Sequence, residues 1–148
     1  MSRSGCLSTI KSLLEGVSGM SPAFVAVSQG EPLGVAAFPW AAYWLSSLAT
    51  ITEMDTMGDQ STITSITVRS YFPASLDPGT NEAIVEDIWD AIAGIRSALL
   101  GDANLSGNCS QIHVNDATVE IGELNGVYHY QATQVIDVWI LGDTTVTP

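Results

Sequence analysis

Positive charge is what this sequence lacks most. Arg3, Lys11, Arg69 and Arg96 are its only cations, set against 16 Asp and Glu, for a formal net charge of -12 over 148 residues. They are scattered and form no basic stripe, and gripping nucleic-acid phosphates takes clustered Lys and Arg. Such an acidic chain repels DNA and suits a surface that DNA passes without sticking. The plainer reading is that the acid keeps the protein soluble. Cysteine is also scarce. Cys6 and Cys109 lie far apart with no CxxC spacing, so free, partly buried thiols in a reducing compartment are expected, rather than a disulfide framework or a zinc site. His113 and His129 are the only histidines. A metal pairing between them across a hairpin is the less favoured reading; two polar strand residues facing solvent or a neighbouring subunit is the favoured one. Long apolar runs are missing too. Lys11 and Glu15 interrupt the N-terminal run, which excludes a signal-peptide core. Pro39 breaks the apolar stretch from Leu33 to Leu45, which is too short for a bilayer. The expected location is the cytosol or an assembly built there, with no membrane partner. The sequons at Asn104 and Asn108 are then chance occurrences.

Catalytic motifs are absent as well. There is no GxSxG, HExxH, phosphate-cradling P-loop or GxGxxG, and no Ser is set beside a His and an acid in a recognisable way. Glu86, Asp87 and Asp90 read as a solvated helix face rather than an acid–base pair. No catalytic residue, metal ligand or cofactor is expected.

What is present is a readable fold. Hydrophobic residues make up 46% of the chain, enough for the core of one domain spanning 1-148, with 143-148 expected as a loose tail. Leu7, Ile10, Leu14 and Val17 stripe a helix over Ser4–Gly16, capped by Ser2 or Ser4. Ala23–Ser28 reads as a strand and Gln29–Gly34 as a turn. Val35–Thr52 stays ambiguous beyond an extended start near Phe38, because Pro39 interrupts it. Glu53–Ser61 reads as a mobile loop. Ile63–Phe72 is a strand with Ile66, Val68 and Phe72 on one face and Thr67, Arg69 and Tyr71 on the other.

A turn cluster from Pro73 to Thr80 leads into a long helix, with Thr80 or Asn81 as its cap. Ile84, Ile88, Ile92, Ile95 and Leu99 line one face of that helix, and Gly101 is expected as its left-handed stop. After a loop over Asp102–Ser110, Gln111–Ile121 and Val127–Leu141 form a hairpin turned at Asn125-Gly126, where both residues tolerate positive φ. The order helix, strands, helix, hairpin without helical crossovers predicts an α+β fold, a largely antiparallel sheet packed on both helices.

One face of the last strand, with Tyr128, Tyr130, Ala132, Ile136, Val138 and Ile140, is expected under the long helix. The other mixes Val127, Val135, Trp139 and Leu141 with His129, Gln131, Thr133 and Asp137. A solvent face rarely places Trp among such groups, whereas a face against another subunit does. Trp139 is the best interface candidate, with Val135, Asp137 and His129 beside it. The alternative is that the first helix or the Trp40 segment covers that face within one chain. Arg69, one of so few cations, is expected to pair with an acid of its own or a neighbouring subunit.

The run IVEDIWDAIAGIRSALLGDANLSG from Ile84 to Gly107, followed by a hairpin ending in YHYQATQVIDVWI, resembles the tail terminator proteins of long-tailed bacteriophages. The N-terminal helix ahead of a short strand, and the strand Ile63–Phe72 entering the long helix, fit the same pattern. The resemblance spans most of the chain but rests on patterns rather than signature residues. It implies a small α+β protein that assembles as a homohexameric ring. Such a ring caps the tail tube, stops subunit addition and offers a surface to the head-tail connector while genomic DNA passes through. It implies no enzyme activity, and a location in the virion tail or neck after assembly in host cytoplasm. Met54, Met57 and Asp59 in one loop and Asn104 and Leu105 in the other are expected docking residues for tube or connector. Competing readings are another neck or tail-completion protein, a cytosolic ligand-binding domain with a pocket near Trp40 and Trp44, and, least favoured, a carboxylate-based enzyme.

Overall fold

Two helices on one face of a six-stranded sheet make up the fold, as seen in a computed structural model that describes residues 2–17, 24–32, 37–50, 60–75 and 77–143. The elements are α1 (Arg3–Glu15), β1 (Ala26–Gln29), β2 (Trp40–Thr50), β3 (Gln60–Pro73), α2 (Pro78–Leu100), β4 (Gln111–Val114), β5 (Thr118–Leu124) and β6 (Val127–Asp143). The strand order is β1-β2-β3-β6-β4, and β5 shares the β4 side of β6. Every pairing is antiparallel except β1 with β2, so the α+β sheet is mixed.

α1 begins where Ser2 accepts from Gly5 N and ends at Gly16. Its predicted stripe is buried, joined by Cys6. Pro39 does not break an element but precedes one, because β2 starts at Trp40. The expected mobile loop Glu53–Ser61 is corrected at its end, where Gln60 and Ser61 belong to β3. The remainder of that loop, with Met54, Met57 and Asp59, lies outside the described residues, as does 144–148. Asp143 is the last residue of β6, paired with Gln60, rather than the start of a tail.

α2 starts earlier than expected. Its cap is Asp77, which accepts from Gly79 N at 3.1 Å and Thr80 Oγ1 at 2.8 Å, with Pro78 in the first turn. Proline suits that position because no backbone donor is needed there. Asn81 instead bonds back to both backbone groups of Ser75. At the other end Gly101 is right-handed, with φ -72. The positive φ angles fall later, at Leu105, Ser106 and Gly107.

The predicted hairpin is also modified. Gln111–Ile121 is not one strand, because Asn115–Ala117 interrupt the ladder. Asn115 N and Nδ2 both donate to Val135 O, at 2.9 and 3.0 Å. Asn125 and Gly126 take φ 52 and 81, as a tight hairpin turn between right-twisted strands requires.

The core lies between the helices and the sheet. α1 and the second half of α2 (Ile95, Leu99) cover Ile66, Val68, Ile136, Val138 and Ile140. The first half of α2 packs Ile84, Ile88 and Ala91 on Phe72 and Ala132. Cys6 and Cys109, 103 positions apart, meet in this core as buried thiols. Cys6 Sγ donates to Asn108 O at 3.3 Å, and its contact with the Cys109 thiol draws the Cys109 pKa down against the effects of burial and Asp102.

Candidate functional site

The face of the sheet turned away from the helices carries most of the residues singled out in the sequence. β-strand alternation places Ile63, Ser65, Thr67, Arg69 and Tyr71 of β3 there, opposite Trp139, Asp137, Val135, Thr133 and Gln131 of β6. β2 adds Trp40, Ala42 and Trp44 by the same register. Three of the chain's four tryptophans therefore share one face.

At the β2 end this face is closed within the chain. Arg69 Nη1 donates to Glu31 at 2.8 Å, Arg69 Nε donates to Thr133 Oγ1 at 3.0 Å, and the guanidinium lies over the Trp44 ring. The expected partner of Arg69 is thus an acid of its own subunit. Trp40 Nε1 donates to Ser28 Oγ at 2.9 Å, which ties it to β1. Tyr71 is fully buried, and among the described residues its hydroxyl meets no partner at hydrogen-bonding geometry. Burial raises its pKa above the ordinary value near 10, and nearby Arg69 pulls the other way.

His129 corrects an expectation. It has the predicted parity but does not face solvent, being only 1% exposed. Its ring packs tilted against Tyr71, with centroids 5.2 Å apart, and has Nε2 3.2 Å from Gln131 Oε1 and Nδ1 3.3 Å from Val127 O. Gly122 on β5 makes room for it, since a Cβ there would lie 3.1 Å from His129 Nε2. His129 therefore offers no surface to a neighbour. It also cannot share a metal with His113, which registers with Asp137, eight residues along β6 and about 26 Å away. Among the described residues no group of three or more His, Cys, Asp or Glu could hold a metal ion.

Toward β4 no described element covers the same face. Trp139 and Val135 are half-buried, with Ile63 opposite Trp139. Asp137 is held by Ser65 Oγ at 2.7 Å and Asn115 Nδ2 at 3.1 Å, so its charge is already answered inside the chain. Neither helix covers Trp139, because α1 and α2 pack on the opposite face.

Of the second docking loop, Asn104 is exposed but Leu105 is not. Leu105 is 0% exposed in the core beside Cys6 and Cys109, because a left-handed turn at 105–107 folds its side chain inward. Glu86, Asp87 and Asp90 are exposed, as a solvated helix face requires. No described helix is long and apolar enough to cross a membrane.

The sequence reading missed the exposed apolar groups on the helix side. Val85 and Trp89 of α2 and Val119, Ile121 and Tyr128 of the β5–β6 ribbon are exposed. Tyr128 has the predicted parity but is not covered by α2. Beside Trp89 a groove of about 380 Å³ is lined by Ile92, Arg96, Asn115, Asp116, Ala117 and Gln134. A second cleft of about 410 Å³ follows α2 at Gly101–Asn104 and Ser110–Ile112. Neither touches Trp40 or Trp44, where a ligand pocket was the alternative expectation.

The chain is similar in fold to a chain in the virion of a native gene transfer agent particle, with a TM-score of 0.58 at 14% sequence identity, covering 91% of this chain and 93% of that one. At that identity the likeness is one of fold. No family model matches the chain, and no curated protein matches it.

Tyr71 supports a direct test of this face. A buried hydroxyl without a partner costs about 1–3 kcal/mol. Tyr71→Phe is expected to leave stability at neutral pH unchanged or raised by up to about 1 kcal/mol, read by urea unfolding. The raised pKa sets the sign of the pH effect. Its stabilisation is complete below the unfolded pKa near 10 and is lost as pH climbs through the higher folded value. Above that range the Phe variant should keep more of its stability than the parent; a loss of more than about 1 kcal/mol at neutral pH would show that the hydroxyl is bonded after all.

Proposed function

We propose that this chain is a non-enzymatic structural protein of a phage-like virion, and within that class a tail terminator. It forms a ring on the end of the tail tube, ends tube polymerisation and presents a new surface to the head connector. The observation that carries this reading is the likeness of fold, along nearly the whole chain, to a virion chain. Two features support it. An open, aromatic sheet face with one cation and one internally bonded carboxylate on its central strands stands out in a chain of net charge -12, and interface cores are depleted of charge in this way. The general acidity also lets DNA pass without being held.

The mechanism follows from symmetry. Tube subunits repeat one head-to-tail contact, which continues until something differs. A terminator matches the tube on one side and withholds that match on the other. In this reading sister copies contact each other around the open face at Trp139, Val135 and Asp137, and the loop at Asn104 together with the segment carrying Met54, Met57 and Asp59 meets tube or connector. Arg69 positions the Glu31 segment within each copy.

Deletion of the gene from a producing strain, followed by electron microscopy, tests this. Tails of uncontrolled length are expected. Tails of normal length that fail to join heads would favour the second reading, a neck or head-tail joining protein of the same fold. Intact particles of normal composition would overturn both.

A further inference from the structure

Six of the exposed large apolar groups lie at the two lateral margins of the sheet. One margin has α2 and β5 at the groove beside Trp89, with Trp89 and Val85 on the helix and Val119 and Ile121 on the strand, Ile121 being 61% exposed. The other is the β1–β2 margin, where Val25, 53% exposed, precedes β1 and Leu45 lies on β2. β1 covers only Trp40–Tyr43 of β2, so among the described residues nothing pairs the outer side of β2 from Trp44 onward. The outer side of β5 is likewise unpaired among them. β2 carries neither a charged residue nor Pro, and β5 carries Glu120 and Glu123 but no Lys or Pro.

We infer that the β1–β2 margin of one copy seats on the α2–β5 margin of the next. This rests on the ring reading above and adds the lateral margins to the open face as surfaces between copies. Charge selects the occupant. The segments Phe24–Gln29 and Trp40–Thr50 contain no charged residue, whereas Glu86, Asp90, Asp116 and Glu123 surround the α2–β5 margin. Two α2–β5 margins face to face would set acid against acid; the β1–β2 margin, whose strands carry no charge and whose neighbouring Glu31 is paired with Arg69, meets less repulsion. Strand sense agrees. β6 is antiparallel to β3 and β3 to β2, so β1 and β6 run the same way and β5 runs opposite to both. A modest rotation from one copy to the next keeps that sense, so an incoming β1 meets β5 antiparallel. Two different margins in contact make a head-to-tail interface, which closes into a ring, whereas one margin pairing with itself stops at a dimer.

The test uses two full-length variants, Ile121→Glu and Val25→Glu, each at an exposed position, checked for native circular dichroism. By native mass spectrometry the parent should form rings and each variant alone should be a single copy. Mixed in equal amounts, the variants share one intact pair of margins and should give 1:1 pairs that go no further. Rings that persist in either variant, or a mixture that stays monomeric, overturn the assignment of margins while leaving the ring reading in place. A parent that remains a single copy at every concentration overturns the ring reading itself, and the margins with it.

Discussion

Ile88→Ala is expected to destabilise the protein by about 2–5 kcal/mol, the usual loss when a fully buried isoleucine is truncated. Ile88 is 0% exposed and sits among Phe72, Ile84, Ala91 and Ala132, where the first half of α2 meets β3 and β6. The loss has two parts: the apolar groups no longer removed from water, and the cavity left because a helix and two long strands cannot collapse into it. A domain of this size is stable by about 5–15 kcal/mol, so this one change takes a large share. Urea unfolding of the free chain measures it. Ile88→Val should cost only about 0.5–1.5 kcal/mol, and the exposed neighbour Glu86→Ala should stay within about 0.5 kcal/mol. A loss below about 1 kcal/mol for Ile88→Ala would mean that α2 does not rest on the sheet along this stripe.

That stripe was legible because a period of 3.6 is written in consecutive turns, Ile84 to Leu99, and needs no knowledge of distant residues. The two faces of β3 and β6 were legible for the same reason at a period of two. What escaped was set by partners remote in sequence. His129 has the right parity, yet its burial depends on Gly122 across the ladder and Tyr71 on β3. Leu105 looked like a loop residue until its left-handed turn placed it beside Cys6, 99 positions away. The helix ends were misread where two local signals competed: Asp77-Pro78 outranked Thr80 and Asn81 at the start, and the left-handed angle moved from Gly101 to 105–107. The exposed Trp89 was invisible for another reason. Periodicity says which residues a helix buries, but not that an uncovered one lies on the same side of the sheet as Val119 and Ile121 of a strand some thirty residues on.

Under the proposed ring reading, Trp139→Ala is expected to abolish ring assembly while sparing the fold. The indole sits on the open part of the sheet face, half-buried, with Ile63 on one side in register and Gln111 on the other. Tryptophans in such positions dominate interfaces, and truncating one there costs about 2 kcal/mol or more, some 30-fold in affinity per contact. In a closed ring every copy carries the same defect, so the losses multiply around the circle, which places the effect on ring population far above that on a single pair. The monomer should lose well under the about 3–5 kcal/mol of a fully buried tryptophan, because part of the indole is already in water. Unfolding and native mass spectrometry on the same sample separate the two effects. A variant that folds normally and still closes rings would remove the open face from the contact between copies, leaving the lateral margins to carry it alone and freeing Trp139 to meet a different virion protein.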